Sequence, residues 1–495
     1  LRSSSFEAVR PARRVPLGPG LSPRLRREDA PPRPTALTRA RRRMTRRGRV
    51  TLAALVALGF AGGWWSAQRA LGLLRGGGGP PGDLPHVSSG PGVWNRQPRA
   101  TRSADVPPEI LEEPPPPPPP VPDEVLVRLP PSAREGLPAP EAEPETLASE
   151  RVVLSADGLP LEVRYTVDPG LTRSVASILR RGHVALGHVI LLDPVDGRVL
   201  AYVSTDPATF PPTRPYPMAS LMKVVTAAAV LSSAPQAAAR PCIFRGSPYF
   251  LSAALIDPPR QGRIASFQTA LATSNNQCFA QLAVHDVGAP RMLDELAALG
   301  VLEAPGPGHA PGEVDPVETR LALGQLGSGL AGSRLPPLAA ARLAAALADG
   351  ELVAPRWIER VTAADGRTFA LPEPAARQVL SPRVTRSLRE LLVETTLTGT
   401  ARRGFRPDGR PLLDPIRVAG KTGSLSGPDP KGHYEWFIGV APAEAPRVAV
   451  ATLVVHREQR FMGASALAAE VLRSVFCAHG ACTADATLAA RAEAP

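Results

Sequence analysis

The chain has 495 residues and a formal net charge of +12, a length that predicts two or three domains and ample sequence for a buried core. The charge is confined: residues 1–49 hold fifteen arginines and three acidic residues, and residues 50–495 carry 42 basic and 42 acidic side chains. A neutral remainder excludes the broad basic face that nucleic-acid binding requires, so no nucleic acid is expected as a partner.

Residues 1–49 read as a basic, disordered segment, and Met44-Thr45-Arg46-Arg47 would make a natural start that leaves residues 1–43 outside the mature protein. The run Val50 to Ala67 is apolar except for Thr51 and Ser66. As a helix it would extend about 27 Å, close to the hydrocarbon thickness of a bilayer. Arg41, Arg42, Arg43, Arg46, Arg47 and Arg49 precede it, and Trp64 and Trp65 mark its far end. That is the pattern of a single transmembrane anchor with its positive side in the cytoplasm. A signal peptide shares the charged and apolar regions, but no small-x-small cleavage site follows before Arg69, which favours an uncleaved anchor.

Residues 68–150 contain Gly76 to Gly79 and seven consecutive prolines, Pro114 to Pro120. Such sequence cannot bury enough apolar surface to offset its chain entropy, and it predicts a disordered linker with a reach on the order of 100–200 Å. Globular character spans 151–478, followed by a C-terminal tail, 479–495. Two strands joined by a tight turn are predicted at His188–Asp193 and Arg198–Ser204. Three more are predicted at Ile416–Gly420, Glu435–Val440 and Arg447–His456. Helices are predicted over Leu221–Leu231, Ala265–Thr273, Gln277–Val284, Leu335–Leu347, Arg383–Thr396 and Gly463–Phe476. Strands at both ends with helices between them make an α+β fold: a five-stranded antiparallel sheet built from both ends of the domain, flanked by helices, with a helical subdomain.

Four cysteines occur without a Cys/His cluster at zinc spacing, so neither metal nor cofactor is expected. On the outer side of a membrane disulfides are permitted. Cys477 could pair with Cys482 and Cys242 with Cys278; four free buried thiols are the alternative.

Of 57 basic residues only three are lysines, Lys223, Lys421 and Lys431. Arginine stays protonated at any working pH, whereas a lysine amine can be made to release its proton and serve as a base. Ser220 lies three residues before Lys223, so on a helix the two side chains share a face. A helix N-terminus adds unpaired N–H groups for a developing oxyanion. Ser274-Asn275-Asn276 separates two predicted helices and reads in isolation as a capping turn. Lys421-Thr422-Gly423 follows the predicted strand Val418-Ala-Gly near a hairpin, where strand-edge hydroxyls beside an ammonium make a carboxylate dock.

In this order and spacing, Ser-x-x-Lys at 220, Ser-x-Asn at 274 and Lys-Thr-Gly at 421 resemble the active-site signature of penicillin-binding proteins and serine β-lactamases. Val163-Arg-Tyr-Thr-Val-Asp-Pro-Gly-Leu-Thr, Asp193-Pro-Val-Asp-Gly-Arg and Trp436-Phe-Ile-Gly-Val-Ala-Pro442 are similar to further segments of the transpeptidase domains, as is Gly399-Thr400-Ala401. Met218-Ala219 departs from the family's usual Pro-Gly before the nucleophile. The resemblance implies that Ser220 attacks the penultimate D-Ala carbonyl of a peptidoglycan stem peptide and becomes acylated. It implies Lys223 as base, Ser274 as proton relay to the departing D-Ala and Asn276 as the group holding the acyl amide. Lys421 would set the field around Ser274, and Thr422, Gly423 and Ser424 would bind the substrate, with the N–H groups of Ser220 and Ser424 as oxyanion donors. The implied partners are stem peptides ending in D-Ala-D-Ala, β-lactams as inhibitors, the cytoplasmic membrane and a glycosyltransferase, since the linker leaves no room for such a domain. The alternatives are a D,D-carboxypeptidase, a class D-like β-lactamase and a non-catalytic penicillin sensor or scaffold. Lys431 acquires no role.

Overall fold

A computed structural model describes residues 150–154, 160–370, 376–478 and 481–484, together with Ala142 and Gly158. The basic segment, the expected anchor at 50–67, nearly all of the linker and most of the tail lie outside the described residues. No described helix is long and apolar enough to cross a membrane.

Five strands form one antiparallel sheet: β1 (Gly187–Leu192), β2 (Val199–Ser204), β3 (Ala419–Pro428), β4 (Lys431–Ala441) and β5 (Val448–His456). Their order is β3-β4-β5-β1-β2, so the two ends of the domain meet at the β5-β1 pair, as expected from the sequence. The helices that flank it or build the helical region beside it include α1 (Pro169–Arg181), α2 (Met222–Ser233), α3 (Phe267–Ala272), α4 (Asn276–Gln281), α5 (Arg320–Ser328), α6 (Pro337–Ala345), α7 (Pro382–Leu397) and α8 (Ala464–Phe476).

The sheet is apolar on both faces because its side chains alternate between two cores. Val189, Leu191, Phe437 and Val450 point to the core shared with α1 and α8. Ile190, Leu192, Trp436, Ile438 and Leu453 point to the core shared with α2 and α6. On α1, Val175, Ile178 and Leu179 supply the apolar stripe, and the Asp168 side chain caps the first turn by accepting from the Leu171 N–H at 2.9 Å. By contrast, α2 is buried around its whole circumference from Met222 to Val230, the pattern of a central helix. It packs against α5 and α7 and carries the first motif into the middle of the helical region.

Two local expectations change. The Lys-Thr-Gly segment does not follow the end of a strand; it lies inside β3, which pairs with β4 in continuous register from Ala419↔Val440 to Pro428↔Lys431. Its sequence lacks an apolar alternation because β3 is an edge strand, and beyond Gly423 little of it is buried. Ser220 lies in a short 3₁₀ turn, Ala219–Leu221, just before α2. A second antiparallel sheet, Glu150–Leu154, Pro160–Tyr165, Ile358–Ala363 and Thr368–Ala370, was not anticipated, although Leu161, Val163 and Tyr165 alternate inward with period two.

Both cysteine pairs are disulfide-bonded, Cys242 to Cys278 and Cys477 to Cys482, which resolves the alternative of free thiols. Loop-closure entropy scales with the chain enclosed, so the bridge spanning 36 residues should contribute about 4 kcal/mol and the one spanning 5 about 2 kcal/mol. Urea unfolding followed by tryptophan fluorescence should therefore show a larger loss for Cys242→Ala/Cys278→Ala than for Cys477→Ala/Cys482→Ala. Equal losses would contradict the loop argument.

Candidate active site

Ser220 is delivered by a turn that the chain enters under strain. Ala219 has φ +50°, a left-handed conformation that costs an alanine on the order of 1–2 kcal/mol, which gives a physical reason for the glycine that the resembling family has here. The turn is over-determined by its neighbours. A Cβ on Gly329 would come within 1.9 Å of the Ala219 carbonyl oxygen, and one on Gly423 within 3.1 Å of the Met218 carbonyl oxygen. The Trp436 indole N–H donates to Pro217 O at 2.8 Å. The turn is thus held between the end of α5 and the edge strand β3.

In the first turn of α2, three residues after Ser220, Lys223 is completely buried. Its Nζ lies 2.9 Å from Ser220 Oγ, 2.6 Å from Asn276 Oδ1 and 2.5 Å from the Ser328 carbonyl oxygen. Asn276 Nδ2 donates to Tyr249 O at 2.8 Å, which turns its Oδ1 toward the lysine. Burial, and after it the charge of Lys421, holds the Lys223 amine well below its ordinary pKa. A neutral amine has two N–H bonds and one lone pair. Asn276 Oδ1 and Ser328 O accept the two N–H bonds, leaving the lone pair for the Ser220 hydroxyl.

Ser274-Asn275-Asn276 is both a capping turn and a site element. Asn275 caps α4 by accepting from the Cys278 N–H, while Ser274 and Asn276 face the amines. Ser274 reaches this position at φ +59°, a second strained residue. Its Oγ lies 3.0 Å from Nζ of Lys421, which is also completely buried and bonds to Thr422 O at 3.0 Å. Burial brings Lys421 down to about 7. Neither lysine forms an ion pair with a described residue.

These groups open on a cleft of about 460 Å³ lined by Ser220, Ser274, Asn276, Thr422, Gly423 and Ser424, so the structure brings together every site residue expected from the sequence; Lys223 and Lys421 lie beneath its wall. Larger hollows of about 720 and 1000 Å³ lie elsewhere. Further groups at or beside the cleft lie outside the three motifs. Thr400 shares a 2.5 Å hydrogen bond with Thr422, and His433 Nε2 lies 2.8 Å from Ser424 Oγ. Glu435, directly opposite Ser424 in the β3-β4 register, receives Arg460 Nε at 2.7 Å and Nη2 at 3.0 Å. Burial opposes the charge of Glu435, but His456 and Arg460 outweigh it and bring the carboxyl to about 2. The polar alternation His433-x-Glu435 in an otherwise apolar strand is the signal that could have marked these positions.

The family model for the penicillin binding protein transpeptidase domain matches residues 187–476. Among characterised relatives, peptidoglycan D,D-transpeptidase PbpA of Mycolicibacterium smegmatis is 30% identical, over 64% of this chain and 72% of that one. The crystal structure of PBPA from Mycobacterium tuberculosis is similar with a TM-score of 0.53 and 26% identity, covering 63% of this chain and 80% of that one. A ceftriaxone acyl-enzyme complex of penicillin-binding protein A from M. tuberculosis is similar with a TM-score of 0.54 and 26% identity, covering 63% and 78%.

The depressed amines make stability depend on pH with a definite sign. Lys421 has a folded pKa of about 7 against an ordinary 10.5, so between these values the unfolded chain binds the extra proton and stability rises with pH. Its share should be a gain of roughly 2 kcal/mol between pH 7 and pH 9. Lys223 acts in the same direction. Urea unfolding at the two pH values should show a smaller gain for Lys421→Met than for the native protein; an unchanged gain would mean that Lys421 is not neutralised by folding.

Proposed function

Since the chain belongs to the family of penicillin-binding protein transpeptidase domains, we propose that it is a membrane-anchored serine D,D-transpeptidase that crosslinks peptidoglycan stem peptides and is inhibited by β-lactams. The observation that carries the mechanism is the buried Lys223 amine within 2.9 Å of Ser220 Oγ, with its N–H bonds directed to Asn276 and Ser328.

The stem peptide lies in the cleft with its terminal carboxylate against the hydroxyls of Thr422 and Ser424, beside Lys421. Ser220 Oγ attacks the penultimate D-Ala carbonyl as its proton passes to Lys223 Nζ. The N–H groups of Ser220 and Ser424 receive the oxyanion. Ser274, whose Oγ lies 3.0 Å from Lys421 Nζ, relays a proton from the lysine amines to the departing D-Ala nitrogen. Asn276 holds the acyl amide once released from its partner. The amine of a neighbouring stem then attacks the ester, its proton returns by the same route to Ser220 Oγ, and the crosslink leaves. A β-lactam follows the first half of this path and remains as an acyl group on Ser220. The apolar run 50–67 anchors the protein, and the linker 68–150 carries the catalytic domain outward from the membrane, where a glycosyltransferase partner supplies glycan strands.

A fluorescent penicillin should label the native protein covalently and Ser220→Ala not at all. Label on Ser220→Ala would overturn the assignment. Lys223→Arg should slow labelling by about a thousandfold, because the guanidinium cannot accept the proton, whereas Lys431→Arg should label normally. With a D-Ala-D-Ala donor and an added amine, the main product should be the new amide; exclusive hydrolysis would favour a D,D-carboxypeptidase.

A further inference from the structure

The cleft contains one charged device that the acylation chemistry leaves unused. Arg460 follows β5 in the connection to α8, and its side chain lines the cleft, 66% exposed. Glu435 occupies one edge of its guanidinium through Nε and Nη2. The group has five N–H bonds, so the edge formed by Nη1 and the second hydrogen of Nη2 remains open. No second acceptor for it lies among the described residues. The pair packs closely on Gly463: a Cβ there would come within 2.6 Å of Glu435 Oε2 and 3.0 Å of Arg460 Nη2, so a larger residue would displace it. Because Glu435 neutralises the arginine, the open edge is not a source of long-range attraction. It is a planar fork, oriented in advance, whose natural complement is a second planar anion at hydrogen-bonding distance.

We infer that Arg460, held by Glu435, determines specificity by docking a second carboxylate of the substrate, distinct from the terminal one assigned to Thr422 and Ser424. This rests on the transpeptidase reading and names its substrate class: a stem peptide, as donor or as acceptor, that carries a carboxylate beyond the D-Ala terminus. The charge chemistry is the same in both cases, and the two sources separate in the experiment.

The donor arm compares acetyl-L-glutamyl-D-alanyl-D-alanine with acetyl-L-glutaminyl-D-alanyl-D-alanine at fixed acceptor. The acceptor arm compares a D-amino acid with its amide at fixed donor. In at least one arm the native protein should favour the acid about tenfold in kcat/KM, the size of one charge-assisted interaction at a partly exposed site. Arg460→Ala should bring that ratio close to one. Gly463→Ala keeps both charges but displaces the pair, and it should lower the ratio as well. Because each ratio is internal to one variant, a general loss of folding or catalysis does not mimic the effect. Equal rates for acid and amide in both arms, or a preference that survives Arg460→Ala, would overturn the inference while penicillin labelling of Ser220 still upheld the underlying reading. Absence of that label would instead remove the transpeptidase reading itself.

Discussion

Burying a lysine amine without a carboxylate beside it disfavours the charged form and pulls the amine below its ordinary pKa, and this protein does so twice in one site. Lys223 and Lys421 have no exposed surface, and each is surrounded by hydroxyl, amide and carbonyl oxygens. An acidic partner at either position would restore the charge and remove the base. The chemistry therefore depends on what is kept away from the amines as much as on what touches them. It also depends on their mutual effect, because the charge of Lys421 adds to burial in depressing Lys223.

Holding two such groups together needs elements that are far apart in sequence and rigid in space. Ser220 and Lys223 come from the start of α2, Ser274 and Asn276 from the α3–α4 turn, Ser328 from the end of α5, and Lys421 from an edge strand 147 residues after Ser274. The sheet, buried on both faces, fixes the strand, and the fully buried α2 fixes the nucleophile. Strain is tolerated only where this framework over-determines the backbone: both described site turns place a non-glycine residue, Ala219 or Ser274, at positive φ. Close approaches at Gly329 and Gly423 then lock the nucleophile turn against β3.

The cleft has two electrostatic characters. Its inner wall holds the depressed amines, poised to exchange protons. The cleft is also lined by Glu435, whose pKa is brought to about 2, and the guanidinium bound to it, neither of which changes charge near neutral pH. Proton transfer and recognition are thereby separated within one cleft. The same register that places Ser424 opposite Glu435 brings the expected carboxylate dock alongside the charged pair.

Local pattern alone determined much of this protein. Apolar runs joined by a short turn specified β1 and β2, further apolar runs marked β4 and β5, and the helical pattern located α2, α6, α7 and α8 to within a few residues. The scarcity of lysine drew attention to three positions, and the motifs around Lys223 and Lys421 separated them from Lys431, because an amine that must release its proton cannot be replaced by arginine. The tertiary structure decided the rest. Whether Ser274-Asn275-Asn276 was a cap or a site could not be read locally, since Asn275 caps α4 while its neighbours turn inward. The true extent of β3 was hidden because an edge strand beside a cleft has no apolar partner to impose a pattern. His433, Glu435 and Arg460 became functional candidates only when strand pairing and chain return placed them around Ser424, while Thr400, legible only as part of a family-like segment, acquired its contact with Thr422 on folding. Short-range periodicity records which side of an element is buried; which buried groups face one another is set by packing between distant segments, and the depressed amines exist only as a consequence of that packing.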